Sequence, residues 1–263
     1  MIGSQADFGI KPNHQELDIL DPKSIANALD KYKPSTVLHL AAMINMAECE
    51  KYPERAHETN VTGTYNITSA CKERNIKLIY ISTCAVFDGT KKEPYSETDM
   101  PNPLNVYGKT KWLGEKISQE LIPNTLIVRT GWLFGGRNAD TRFIKRFFEQ
   151  CQRGEEIKAT VNRSGSPTYV PDLLNMIEKL LQNDHSGIVH VANNGAASYF
   201  EVGQFIKKIT GCSSEVTPVQ AEKVEHSKIK RGRNESLISD IVHLRPWQDA
   251  LKEYLTLLLG DAK

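Results

Sequence analysis

Short β-branched apolar runs alternate with amphipathic stretches through the first half of this chain, and that rhythm is its strongest constraint on fold. STVLHLAA (Ser35–Ala42), IKLIYIS (Ile76–Ser82) and TLIVRTG (Thr125–Gly131) read as strands buried on both faces. Pro22–Tyr32, Pro53–Arg74 and Lys109–Leu121 read as helices between or beside them. Asp21 is a ready N-cap with Pro22 at the first helical position. Strand–helix–strand repetition of this kind implies an α/β fold with a parallel sheet and right-handed crossovers.

After about Gly136 the rhythm changes. Helical stretches at Thr141–Arg153, Pro171–Gln182, Tyr199–Gly211 and Arg245–Leu259 surround the irregular segment Asn162–Tyr169 and a strand at Gly187–Asn193. The expected division is a sheet-forming part over residues 1–136 and a smaller mixed part over residues 137–263, sharing an interface.

Composition narrows the class. With 33 basic and 32 acidic side chains the net charge is +1, and no basic stripe marks a nucleic-acid footprint. No apolar run approaches the roughly 18 residues that span a bilayer. Five scattered cysteines without metal-ligand spacing read as reduced thiols in a soluble, cytoplasmic protein. Seven histidines show no metal pattern, so no metal site is expected. The charged stretch Glu48–Arg55 reads as a solvated face.

The chemistry-bearing constellation is Thr83 at the end of the second strand, followed by Tyr107 and Lys111 in NVYGKTK (Asn105–Lys111). A phenol titrates too high for acid–base work near neutrality, and a neighbouring ammonium lowers its pKa. Residues four apart share a helix face, so Lys111 can sit beside Tyr107. Thr83, at the carboxyl end of a parallel strand, is placed where open α/β sheets bind ligands.

ELDILDP (Glu16–Pro22), HLAA (His39–Ala42), NVTGT (Asn60–Thr64), STCAVFDG (Ser82–Gly89), PLNVYGKTK (Pro103–Lys111), RTGWLFGG (Arg129–Gly136) and GSPTYVPDL (Gly165–Leu173) stand in the order of a known family. In them the chain resembles the extended short-chain dehydrogenase/reductases, and within these the dTDP-4-dehydrorhamnose reductase branch. The resemblance implies a Rossmann-like domain binding NADP or NAD and a nucleotide-sugar substrate reduced at a 4-keto group. It makes Thr83, Tyr107 and Lys111 the catalytic set. Asp18 and Ile19 would flank the adenine, while Ala41, Ala42 and Lys111 would meet the nicotinamide half. Trp132 and Cys84 fall at sugar-contacting positions, and Arg231 and Arg233 in a loop near the diphosphate. Asn60 would be structural. Cys84 and Ala85 depart from the reductases' usual acidic residue and tyrosine, which leaves epimerase and dehydratase chemistry open. A catalytically silent regulatory or scaffold homologue is the other alternative, since the regulatory subunit of methionine adenosyltransferase belongs to the same branch.

The start of the chain, MIGSQADFGIKPNHQELDILD, holds neither a leading strand nor the Gly-x-x-Gly-x-x-Gly turn that cradles a pyrophosphate. Gly3 stands where that turn's last glycine would be. The expectation is a sheet without its first central strand, weakened dinucleotide affinity, and a rearranged N-terminus or a partner, either a second copy or another protein, covering the gap.

Overall fold

The computed structural model describes residues 9–136, 140–223 and 229–261. In chain order the elements are α1 (Pro22–Tyr32), β1 (Thr36–His39), α2 (Met46–Lys51), α3 (Pro53–His57), α4 (Gly63–Glu73), β2 (Lys77–Thr83), α5 (Val106–Leu121), β3 (Leu126–Thr130) and β4 (Leu133–Phe134). There follow α6 (Phe143–Gln152), β5 (Ile157–Thr160), β6 (Ser164–Gly165), β7 (Thr168–Tyr169), α7 (Val170–Gln182) and β8 (Gly187–His190). The chain closes with β9 (Ala197–Ser198), α8 (Tyr199–Thr210), β10 (Val216–Val219), β11 (Asn234–Glu235) and α9 (Trp247–Asp261).

β1, β2, β3 and β8 form one parallel sheet in that order. The α/β expectation holds, and the sheet's last strand comes from beyond residue 136. β3 is buried at all five positions, as a strand covered on both faces should be. One side packs Ile79, Val128 and Val189 against Leu173, Ile177 and Leu180 of α7. The other packs Leu78 against Ile25 and Leu29 of α1 and Ile67 and Cys71 of α4. A separate aromatic-rich core joins Phe147 of α6, Val202 of α8 and Tyr254 of α9.

α1 begins as its sequence dictates: the Asp21 carboxylate accepts the Lys23 backbone N–H, and Pro22 needs no partner. Two expectations are corrected. β1 spans four residues and is fully buried only at His39, because among the described residues it pairs on one side alone and Leu40 beyond it lies exposed. The cysteines are not all thiols. Cys151 of α6 and Cys212, just after α8, form a disulfide, since the two helices pack side by side and bring their Cα atoms to 5.6 Å. Cys49, Cys71 and Cys84 are free and buried. No helix among the described residues is long and apolar enough to cross a membrane.

Candidate active site

The helix entering the site is continuous but irregular. Between α3 and α4 the residues Glu58–Thr62 form one π-turn, and the side chain of Asn60 points inward from it. Its Oδ1 accepts the Met43 N–H at 2.7 Å, and its Nδ2 donates to Met43 O and to Thr110 Oγ1 at 3.0 and 2.9 Å. Asn60 therefore ties the segment after β1 to α5. A π-turn is the local distortion that lets one buried amide reach both.

α5 starts three residues earlier than the apolar pattern suggests. Asn105 is its N-cap, accepting Gly108 N–H at 2.8 Å, and its amide donates to Lys230 O at 3.0 Å. The exposed Val106 N–H is received by Glu50 Oε1 at 2.7 Å. The charged stretch around Glu50 is thus more than a solvated face: it holds the first turn of the helix that carries Tyr107.

On α5, Tyr107, Lys111 and Glu115 follow at four-residue spacing along one face. Tyr107 is half-buried, with the Thr83 side chain against its hydroxyl. Burial pushes the phenol up to about 12, and Thr83 offsets only part of that rise. Lys111 is buried, with Nζ 4.0 Å from the centroid of the Tyr80 ring. Burial pulls its ammonium down to about 7 against the opposing pull of Glu115. The expected depression of the phenol by Lys111 is therefore not what this arrangement gives. The ammonium sits over the Tyr80 ring, and burial outweighs every group that acts to lower the phenol. Tyr80 fits over Lys111 because Gly114 leaves room: any Cβ there would collide with the Tyr80 hydroxyl. Beneath, Glu115 makes a fully buried two-point ion pair with Arg129 of β3 at 2.9 and 2.7 Å and also accepts Ser82 Oγ–H. His39, buried beside Thr64, is held neutral, its pKa lowered to about 3 by burial and then by Lys111.

Cys84 is buried under Gly131, its thiol raised to about 12 by burial and then by Glu235. Trp132 follows in a left-handed backbone conformation, φ 44°. Its indole lies flush on Gly165, where a Cβ would overlap the ring, and 4.2 Å from the Tyr199 ring centroid. Its Nε1–H donates to Glu235 Oε2 at 2.9 Å. Arg231 holds the same carboxylate in a fork at 2.9 and 2.5 Å. Burial would raise the Glu235 carboxyl, but Arg231 outweighs it and keeps the group below its ordinary value.

The residues expected from sequence thus divide. Thr83, Tyr107, Lys111 and Cys84 converge at the carboxyl end of β2, and Trp132 and Arg231 share Glu235 beside them. Arg233 is exposed and belongs to neither group. Ala41 and Ala42 follow β1, Ala41 exposed and Ala42 half-buried. The Asp18 carboxylate caps the Leu20 N–H, and the Ile19 side chain is buried against Gly63 of α4. Gly3 lies outside the described residues. Glu50, Glu115, Tyr199 and Glu235 were not read from the sequence. Glu115 and Glu235 carried a signal, each a carboxylate four residues after a basic residue of interest, Lys111 and Arg231. No cluster of His, Cys, Asp and Glu among the described residues could hold a metal ion.

Comparison with known proteins adds a lineage. The family model described as RmlD substrate binding domain matches residues 4–259. The chain is 29% identical over 253 residues to dTDP-4-keto-6-deoxy-D-glucose reductase of Streptomyces niveus, covering 94% of this chain and 87% of that one. It is 31% identical over 235 residues to dTDP-4-dehydrorhamnose reductase of Mycolicibacterium smegmatis, covering 85% and 71%. The crystal structure of dTDP-4-dehydrorhamnose reductase from Bacillus anthracis in complex with NADP superposes with a TM-score of 0.89 at 30% identity, covering 94% of this chain and 89% of that one.

Proposed function

Since the chain belongs to the RmlD substrate binding domain family, we propose that it reduces the 4-keto group of a dTDP-linked deoxy sugar with NADPH or NADH. The observation that carries this reading is the set Thr83, Tyr107 and Lys111 at the carboxyl end of β2, with Trp132 close by. The relatives named as reductases of such sugars, and the NADP complex of one of them, support it. In this reading residues 1–136 hold the dinucleotide and residues 137–263 supply most of the sugar-nucleotide contacts.

Lys111 fits the ribose of a nicotinamide nucleotide. Its buried ammonium rests on an aromatic ring and has no hydrogen-bond acceptor among the described residues, so ribose hydroxyls would give it the acceptors it lacks. The nucleotide supplies the hydride. Tyr107 supplies the proton, its hydroxyl set against Thr83 and held in the protonated form by burial. Thr83 orients the keto oxygen toward that hydroxyl. Trp132, fixed by Glu235 and Gly165, offers its indole face to the sugar.

Incubation with NADPH and a dTDP-4-keto-6-deoxy sugar tests the proposal. Loss of nicotinamide absorbance that requires both the sugar nucleotide and Tyr107 is the expected result. A well-folded protein that binds neither compound would contradict it.

A further inference from the structure

Arg163 stands immediately before β6, on the strand that passes beneath Trp132. β6 pairs with β11 so that Gly165 lies opposite Glu235, and Ser164 N–H donates to Arg233 O at 2.8 Å. The Trp132 indole covers Gly165, two residues on, and the Arg163 guanidinium lies near Tyr199, which stacks on that indole.

Its surroundings are unusual for an arginine. Arg163 Nε is buried without a hydrogen-bond partner, and no hydrogen bond or ion pair joins this guanidinium to any described residue. Arg231, Glu235, Tyr199 and Glu222 all lie within its electrostatic reach, Glu222 from an exposed position where its carboxylate accepts Asn162 Nδ2–H. Glu235, however, is already committed twice to Arg231 and once to Trp132. A second cation thus sits beside a carboxylate whose capacity is spent. Burial, and then Arg231, lower the pKa of Arg163 from the ordinary arginine value. A guanidinium does not shed its proton in a protein, so this half-buried cation, with its Nε unpartnered, favours an incoming anion.

We propose that Arg163 binds the diphosphate of the nucleotide-sugar substrate, and that Arg231 is the structural arginine that holds Glu235 and Trp132. This assignment rests on the nucleotide-sugar reading above and moves the phosphate contact from the loop arginines Arg231 and Arg233 to a residue outside that loop. The guanidinium fork matches two phosphate oxygens, which an ammonium cannot do.

Calorimetric titration of the full chain with thymidine, uridine, guanosine and adenosine diphosphates tests the assignment, with Arg163→Gln and Arg163→Lys as variants. The expected result is saturable binding of at least one diphosphate, weakened about 10- to 100-fold in Arg163→Gln and less in Arg163→Lys. NADPH affinity should stay unchanged in both. Without ligand, Arg163→Gln should melt at or above the wild-type temperature, because it removes an unpaired cation; a merely structural arginine would lower it. Diphosphate affinity equal in wild type and both variants overturns the Arg163 assignment alone. A wild type that binds none of the four diphosphates overturns it together with the nucleotide-sugar reading.

Discussion

At the corner of β2 and α5, Thr83, Tyr107 and Lys111 come from one strand end and one helix face. Around Trp132 the construction differs. The indole, Tyr199 and the Arg231–Glu235 pair come from three separate segments, and the bond that joins Trp132 to Glu235 spans 103 residues. The first region is set by helix periodicity and a capped helix start. The second is assembled by tertiary packing around one buried carboxylate. A reaction shared across a family can be carried by the first. Recognition of a particular substrate falls on the second, where a single side chain such as Arg163 changes what is bound.

The sharpest break of that contrast is at Tyr107. Tyr107→Phe should lower turnover about 10²–10⁴-fold and leave the urea midpoint close to wild type, as measured by parallel kinetics and equilibrium unfolding. Lys111 gives an effect on stability instead. Its pKa falls from 10.5 in the unfolded chain to about 7 in the folded one, so the unfolded chain holds a proton that the folded one has lost between these values. Stability from this group is fully present above 10.5 and is lost as pH falls toward about 7. Lys111→Met should therefore be more stable than wild type by roughly 2–4 kcal/mol at and below neutral pH, the gap closing as the pH rises. Urea unfolding of both proteins across that range is the check.

Glu235→Gln attacks the second region. It strips Arg231 of its partner and should cost roughly 3 kcal/mol in stability while raising KM far more than it lowers kcat. A change in kcat alone would mean that the carboxylate acts in the chemistry. The smallest effect is expected at Glu50→Ala, which removes one hydrogen bond from the first turn of α5. A loss of about 1 kcal/mol with unchanged substrate affinity is the expected outcome.

The same contrast explains what the sequence discloses. α1 was legible because Asp21 and Pro22 mark its start, and β3 because an unbroken apolar run needs cover on both faces. The start of α5 was hidden by Gly108, a weak helix former, and by an asparagine cap without an acidic residue three positions on. The extent of β1 was overread, because apolar residues continue past His39 after pairing stops. The Cys151–Cys212 bond links residues 61 apart, a pairing set by helix packing that spacing does not encode. The Arg231–Glu235 fork closes over four residues, yet its meaning depends on Trp132 arriving from elsewhere.

The measurement that bears most directly on the central claim is deuterium transfer. The protein would be incubated with dideuterated nicotinamide nucleotide and a dTDP-4-keto-6-deoxy sugar, and the product read by proton NMR. Deuterium at C4 of the sugar with the wild type, its appearance slowed about 10²–10⁴-fold with Tyr107→Phe, is the predicted result. Unlabelled, unreduced sugar recovered from a wild type that binds both compounds would contradict the account.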